Sequence, residues 1–295
     1  MFIIPFNNLY HSGGVCDSEG KMIWYRKIGF QGHPVVDISN SDYINKEAIF
    51  MGHLTNHYGH FILESLSRFH IFFEKTRVFF KNKELVFIAL GPTFPIPSCN
   101  LLNYMIYIFN LKNISFRLIH KCTQFKKIYI PECHLSINQW INPLQMKIYN
   151  KISSSIPINN HFDKIFISRR TTKKKSIFRI ANEDLIEQLF ISKGFHIIIP
   201  DSQHFIDNVS YYRGANVMAG IEGTGLHNIL FMKPETQLIH INSTRNIRRK
   251  EKMSFNQFNC CSLNNIKTKV IEFKGDIKKK EYDILYLETE MVKLL

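Results

Sequence analysis

The sequence predicts an α/β protein of two domains, each a sheet with helices packed against it. Three observations lead there. Apolar runs of strand length alternate with segments of helical periodicity along most of the chain. Its 295 residues are 45% apolar and 13% aromatic, enough for two ordinary cores. The run S-S-S-I-P-I-N-N, residues 153–160, reads as a linker. It divides the chain into 1–155 and 156–295, with a tail that could return to the first domain.

In the first half, residues 2–4 and 22–25 read as strands around the Gly13-Gly14 turn, and 48–51 as a strand leading into a helix at 56–70. The run V-F-I-A-L within 84–90 is a buried strand, followed by Gly91-Pro92 and a loop carrying Pro95 and Pro97. A helix is expected at 101–110, strands at 116–119 and 127–130, and a helix at 143–152. Pro131 stops the second of those strands.

The second half is more regular. K-I-F-I-S, 164–168, is a strand, and 169–179 a basic loop. Asn182 suits an N-cap, with Glu183 and Asp184 in the first turn, and Gly194 suits the position after the helix end at Lys193. A strand at 195–199 is closed by Pro200. A helix at 204–213, a strand at 216–219, a glycine-rich turn at 220–225, a helix at 226–232 and a strand at 237–241 follow. Such alternation predicts a parallel sheet with helices on both faces. Ligands of these sheets bind beyond the carboxyl ends of the strands. Two such domains facing each other would make a cleft.

The stretch N-H-Y-G-H-F-I-L-E-S-L-S-R-F-H, 56–70, carries unusual chemistry. On a helix turning about 100° per residue, His60, Glu64, His57 and Arg68 fall along one edge. Ile62, Leu63, Leu66, Phe69 and Phe73 fall opposite and read as core. A solvated face with an i,i+4 Glu64–Arg68 pair accounts for the charges. Two histidines beside Gly59, a residue that costs a helix about 1 kcal/mol against alanine, also suit close approach by a ligand. The spacing is not H-E-x-x-H and no third histidine is evident, so no metal site is expected.

A second signal is N-V-M-A-G-I-E-G-T-G-L-H-N-I-L-F, 216–231, a strand running through G-x-x-G-x-G into a helix. Small residues let a ligand reach the backbone, and a helix start attracts an anion, a diphosphate above all. A tight turn with no ligand has the same pattern. The dinucleotide signature G-x-G-x-x-G is not present. Arg169, directly after the strand at 164–168, points into the same crevice and suits phosphate, with Arg179 further along the loop. The run 173–175 reads as solvated surface.

The net charge is +14 and the isoelectric point about 9.4. Phosphates, nucleic acid and anionic membrane surfaces are all compatible with that balance. Basic runs at 245–252 and 278–280 read as surface. No nucleic-acid module is recognisable, so no nucleic-acid partner is expected. Six cysteines without a C-x-x-C pair argue against a zinc ribbon or a disulfide framework and fit a reducing compartment. The N-terminus lacks signal-peptide features, and 101–109 is too short to span a bilayer. A cytoplasmic location is expected, peripheral at the inner face of the plasma membrane.

Together, H-Y-G-H-F-I-L-E-S-L-S-R (57–68), I-S-R (167–169), R-I-A-N-E (179–183) and G-I-E-G-T-G-L-H-N-I-L-F (220–231) resemble glycosyltransferase family 61. Its bacterial members are often labelled capsular polysaccharide biosynthesis proteins. The resemblance covers 49–241 and rests on the order and spacing of the motifs. It implies a GT-B fold, two Rossmann-like domains around a cleft. It also implies inverting transfer from a nucleotide-sugar to a hydroxyl of a glycan or lipid-linked acceptor, in capsule or lipopolysaccharide synthesis, with no obligatory metal. The sequence contains no D-x-D, the pair that commonly holds a divalent ion on the donor diphosphate. In this reading His60 is the base, Glu64 orients it and Arg68 keeps Glu64 ionised. Glu222 is a second candidate base, at a position where many members have histidine. Arg169, Arg179, Gly223, Thr224, Gly225, His227 and Asn228 would hold the donor. Two other readings stay open: a nucleic-acid-binding protein, suggested by charge alone, and a catalytically inactive scaffold of a polysaccharide assembly complex.

Overall fold

The computed structural model describes residues 1–4, 13–25, 35–55, 57–89, 100–159, 161–170 and 180–294. The chain divides into two compact units, Met1–Ile137 and Asn138–Leu295.

The first unit opens with β1 (Phe2–Ile4), β2 (Gly14–Cys16), β3 (Met22–Tyr25) and the long β4 (Asp42–Leu54). An α-turn, α1 (Tyr58–His60), runs into a π-turn (Phe61–Ser65), then α2 (Ile71–Glu74) and α3 (Arg77–Phe80). β5 (Lys83–Ala89), α4 (Asn100–Ile108), β6 (Ser115–Ile119), β7 (Thr123–Tyr129) and β8 (Leu135–Ser136) complete it. Seven strands form one sheet in the order β3-β2-β1-β7-β4-β5-β6. β4 to β7 pair in parallel, whereas β1 pairs antiparallel with both β2 and β7, and β2 with β3. The sheet is therefore mixed. β1 and β2 lie too close in sequence for the crossover of a dozen or more residues that a parallel pair requires. Phe50, Val86, Ile88, Phe125 and Ile128 build the core on one face.

Residues 57–70 are not the single α-helix that the apolar spacing predicts. Leu66 N–H donates to Phe61 O at 3.2 Å, an i to i+5 bond, and 66–70 continue as turns. The wider turn shifts the angular phase of everything after it. Arg68, expected on the outer edge, is turned into the core at 2% exposure. Its Nε donates to Pro131 O at 3.1 Å, and its guanidinium lies 5.4 Å from the centre of the Phe50 ring. Ile62, Leu63, Leu66 and Phe69 are buried as expected, but Phe73 is 45% exposed. Gly52 makes the space for Arg68. It sits at an irregularity in β4 with φ +89°, and a Cβ there would lie 2.7 Å from Arg68 Nη1.

In the second unit, β9 (Trp140–Ile141) and a 3-10 turn (Pro143–Gln145) precede α5 (Met146–Ser154). Then come β10 (Lys164–Ile167), α6 (Glu183–Ser192), β11 (His196–Ile198), α7 (Phe205–Gly214), β12 (Val217–Ile221), a 3-10 helix (Thr224–Phe231) and β13 (Gln237–Ile241). α8 (Thr244–Arg249), α9 (Phe255–Leu263), β14 (Lys267–Ile271), the two-residue strands β15 (Gly275–Asp276) and β16 (Glu281–Tyr282), and α10 (Ile284–Leu294) follow. Five strands pair in parallel in the order β11-β10-β12-β13-β14. Ile186 and Phe190 of α6 and Leu287 and Met291 of α10 pack on Phe166, Ile221 and Ile239 of the sheet. Both units are thus α/β with parallel strands.

Three local details bear on the sequence reading. Asn182 precedes α6 but makes no cap. Its amide bonds Tyr282 O and accepts from Tyr282 N–H, both at 2.9 Å, and so ties the tail to the helix start. The helix expected at 226–232 is a 3-10 helix that starts two residues earlier. Residues 153–156 lie in the second unit: Ser153 Oγ donates to Phe231 O at 3.2 Å, and Ile156 is buried. Among the described residues no helix is long and apolar enough to cross a membrane.

Gly52→Ala should lower stability by about 1–3 kcal/mol, from a positive φ and a clash with a buried guanidinium. The expected readout is a lower denaturation midpoint at unchanged m value. An unchanged midpoint would show that Gly52 does not constrain Arg68.

Candidate functional site

The order β11-β10-β12 places a topological switch at β10, because the chain leaves β10 on one side for β11 and returns on the other as β12. The carboxyl ends of β10 and β12 therefore border the crevice where such sheets take ligands. Ile167 pairs with Gly220, and the same register continued brings Ser168-Arg169 level with Ile221-Glu222. Arg169 Nη1 donates to Glu222 O at 2.7 Å. The guanidinium lies against Gly223, where a Cβ would come within 3.0 to 3.2 Å of three of its atoms. A side chain at Gly223 would require the guanidinium to give by a few tenths of an ångström. Gly220 and Gly225 serve packing instead: a Cβ would meet Leu226 Cδ2 at 2.8 Å or Ile167 Cγ2 at 2.9 Å. Thr224 is exposed at the start of the 3-10 helix.

Carboxylates of α6 hold the strand end in place. Arg169 N–H donates to Glu183 Oε1 at 2.5 Å, and Ser168 Oγ to Glu187 Oε1 at 2.5 Å. Burial pulls the Arg169 pKa below its ordinary value. Glu183 and Glu222 oppose that pull, and the like charge of Arg245 adds to it. Arg245 stands in the first turn of α8, just past the carboxyl end of β13. Two half-buried guanidiniums thus approach one another beside the crevice. The sequence reading missed Arg245, because it opens a basic run that looks like ordinary surface. Its place four residues after a strand end was the available signal.

Glu222 is 6% exposed and surrounded by donors. His240 Nε2 lies 2.6 Å from Oε2, and Asn246 Nδ2 and Ser254 N–H reach Oε2 at 3.2 and 3.3 Å. Ser254 Oγ donates to Oε1 at 2.9 Å. Burial raises the carboxyl pKa, but the hydrogen bond and charge of His240, with Ser254 and Asn246, outweigh it and bring the value down to about 2. His227 and Asn228 are buried at 5% and 0% exposure. His227 Nδ1 lies 2.8 Å from Gln257 Oε1, and Asn228 Nδ2 donates to Gly225 O at 2.8 Å and to Tyr212 Oη at 3.2 Å. Both side chains support the turn from inside. Arg179 lies outside the described residues.

In the first unit, His60 Nδ1 is 2.5 Å from Glu64 Oε2, with side chains 34% and 12% exposed. His57 Nδ1 accepts from His60 N–H at 3.5 Å, and the two rings meet edge to face with centres 4.8 Å apart. Burial, then the charge of His60, lowers the His57 pKa. The structure thus joins His60 to Glu64 and sends Arg68 elsewhere.

Residues 58–239 match the sequence profile described as Glycosyltransferase 61. The chain belongs to glycosyltransferase family 61. No curated protein matches it. As a glycosyltransferase it takes a nucleotide-sugar donor and a glycan acceptor. The matched span contains His60, Glu64, Arg169 and the 222–228 turn, and it stops short of Arg245.

In this glycosyltransferase the Glu222 carboxylate stabilises the fold near neutral pH. Its folded pKa of about 2 lies below the ordinary 4.5, so the unfolded chain binds the proton more readily. Glu222→Gln should melt below the wild type at neutral pH, and the gap should close as the pH falls from 4.5 toward about 2. Melting curves of both proteins across that range check it. A gap independent of pH would contradict the network.

Proposed function

We propose that this glycosyltransferase is inverting and metal-independent, and that it acts in the cytoplasm on a hydroxyl of a glycan or lipid-linked acceptor of surface polysaccharide. The observation that carries the reading is the Arg169 guanidinium seated on Gly223 at the switch point, with Arg245 approaching it. In one in-line displacement the acceptor oxygen bonds to the anomeric carbon as the bond from that carbon to the diphosphate oxygen breaks. The electron pair leaves with the diphosphate, and the hydroxyl proton passes to a base. Two guanidiniums suit the charge that develops on the leaving oxygen. In this reading they take over the task of a divalent ion, in keeping with the missing D-x-D.

The base in this reading is His60. With Nδ1–H donated to Glu64, the His60 Nε2 carries the lone pair that takes the acceptor proton. A π-turn beside this pair fits a functional position, since such turns concentrate there. Glu222 suits that role poorly. Both of its oxygens are engaged by donors, and its proton affinity is far too low for a base near neutral pH. Its part is to hold the segment around Arg245 against the end of β12.

Arg169→Ala should weaken nucleoside diphosphate binding by about 1.5–3 kcal/mol, and Arg245→Ala should weaken it in the same direction. Titration calorimetry that finds both variants at wild-type affinity would remove the assignment.

His60→Ala should lower kcat by about 10²–10⁴-fold with donor affinity unchanged. If the folded variant keeps more than about a tenth of wild-type kcat, His60 is not the base.

Turnover should survive exhaustive chelation. Activity abolished by chelator and restored by manganese or magnesium would overturn metal independence.

A further inference from the structure

We infer that the face of the first unit at the amino ends of its parallel strands docks on an anionic lipid bilayer. A groove of about 1140 Å³ opens there, and Lys46, Lys75, Arg77, Lys81, Lys83 and Lys126 line it. Two carboxylates share the lining, Glu47 and Glu84, and both are already paired. Glu84 holds Lys46 at 2.9 Å and Arg117 at 2.5 Å, and Glu47 lies 3.2 Å from Lys83. Among the described residues, Lys75, Arg77, Lys81 and Lys126 have no carboxylate within ion-pair distance. The face therefore carries a surplus of positive charge.

Charge alone would suit any polyanion, but the apolar side chains among these cations point to a bilayer. Val78 lines the groove on α3 at 78% exposure, and Phe73 is 45% exposed. Phe73 packs on Phe109, which lines the groove with Phe72, and their ring centres lie 5.8 and 5.9 Å away. A soluble polyanion gains nothing from Val78. A bilayer interface takes its apolar tip out of water while the lysines reach the headgroups. β5 starts at Lys83 in the groove and ends at Ala89 on the side to which β4 delivers His57 and His60. Docking at the amino ends thus leaves the catalytic end uncovered. The inference is separate from the donor reading, because vesicle binding is measured without turnover.

The test is co-sedimentation of the full chain with phosphatidylcholine vesicles and with vesicles that also contain about one-third phosphatidylglycerol. The protein should pellet with the second only, and raised salt should release it. Lys75→Glu/Lys81→Glu should weaken partition at least tenfold, given about fivefold per surface cation. Val78→Asp should weaken it several-fold, and Val78→Leu should keep it. Lys278→Glu/Lys279→Glu, the same charge change elsewhere, should bind as wild type. Melting temperatures establish that each variant is folded. Equal binding to both vesicles, or to neither, would overturn the inference, as would wild-type partition of Lys75→Glu/Lys81→Glu. Retained binding by Val78→Asp alongside loss in the lysine variant would also overturn it, and would assign the groove to a soluble polyanion such as polyphosphate.

Discussion

Glu222 directly follows β12 at 6% exposure, and a carboxylate in that position must find donors or lose its charge. The donors come from three places downstream: His240 in β13, Asn246 in α8 and Ser254 before α9. Meeting them folds 243–254 back over the strand ends and fixes Arg245 beside the crevice. The same residue's carbonyl accepts from Arg169 Nη1. One buried anion thus organises the cations on both sides of the switch point.

A glycine making way for a guanidinium occurs in both units, with different consequences. At Gly52 a positive φ admits Arg68 into the core against Phe50, where it is sealed from solvent. At Gly223 the backbone is extended, and only the missing Cβ matters. There the arginine stays half-buried at the edge of a crevice, where it can meet a ligand. The difference between a sealed and an accessible arginine lies in where the strand ends.

Much of the second unit was legible, because strands buried on both faces, such as K-I-F-I in β10 and Q-L-I-H-I in β13, leave continuous apolar runs. Arg169 and the 220–225 turn could be placed by their position after such runs. The rest was hidden for identifiable reasons. A π-turn leaves the apolar residues of 61–66 buried as a helix would, so its phase shift appears first in Arg68. Asn182 has the chemistry of a cap, but a tail 100 residues away claims its amide. The buried network around Glu222 was hidden because its partners stand 18 to 32 residues downstream, beyond any local pattern. Arg245 was masked by the basic run it begins.

The central claim is that the ends of β10 and β12 hold the diphosphate of a nucleotide-sugar. The most direct test is the melting temperature of the wild-type chain against a panel of nucleoside diphosphates, their sugar conjugates and free nucleosides. One nucleoside diphosphate and its sugar conjugate should stabilise the protein, by about 2.7 kcal/mol at one hundred times the dissociation constant. The matching nucleoside, lacking the phosphates, should leave the melting temperature unchanged. No shift from any member of the panel, or an equal shift from the bare nucleoside, would contradict the account.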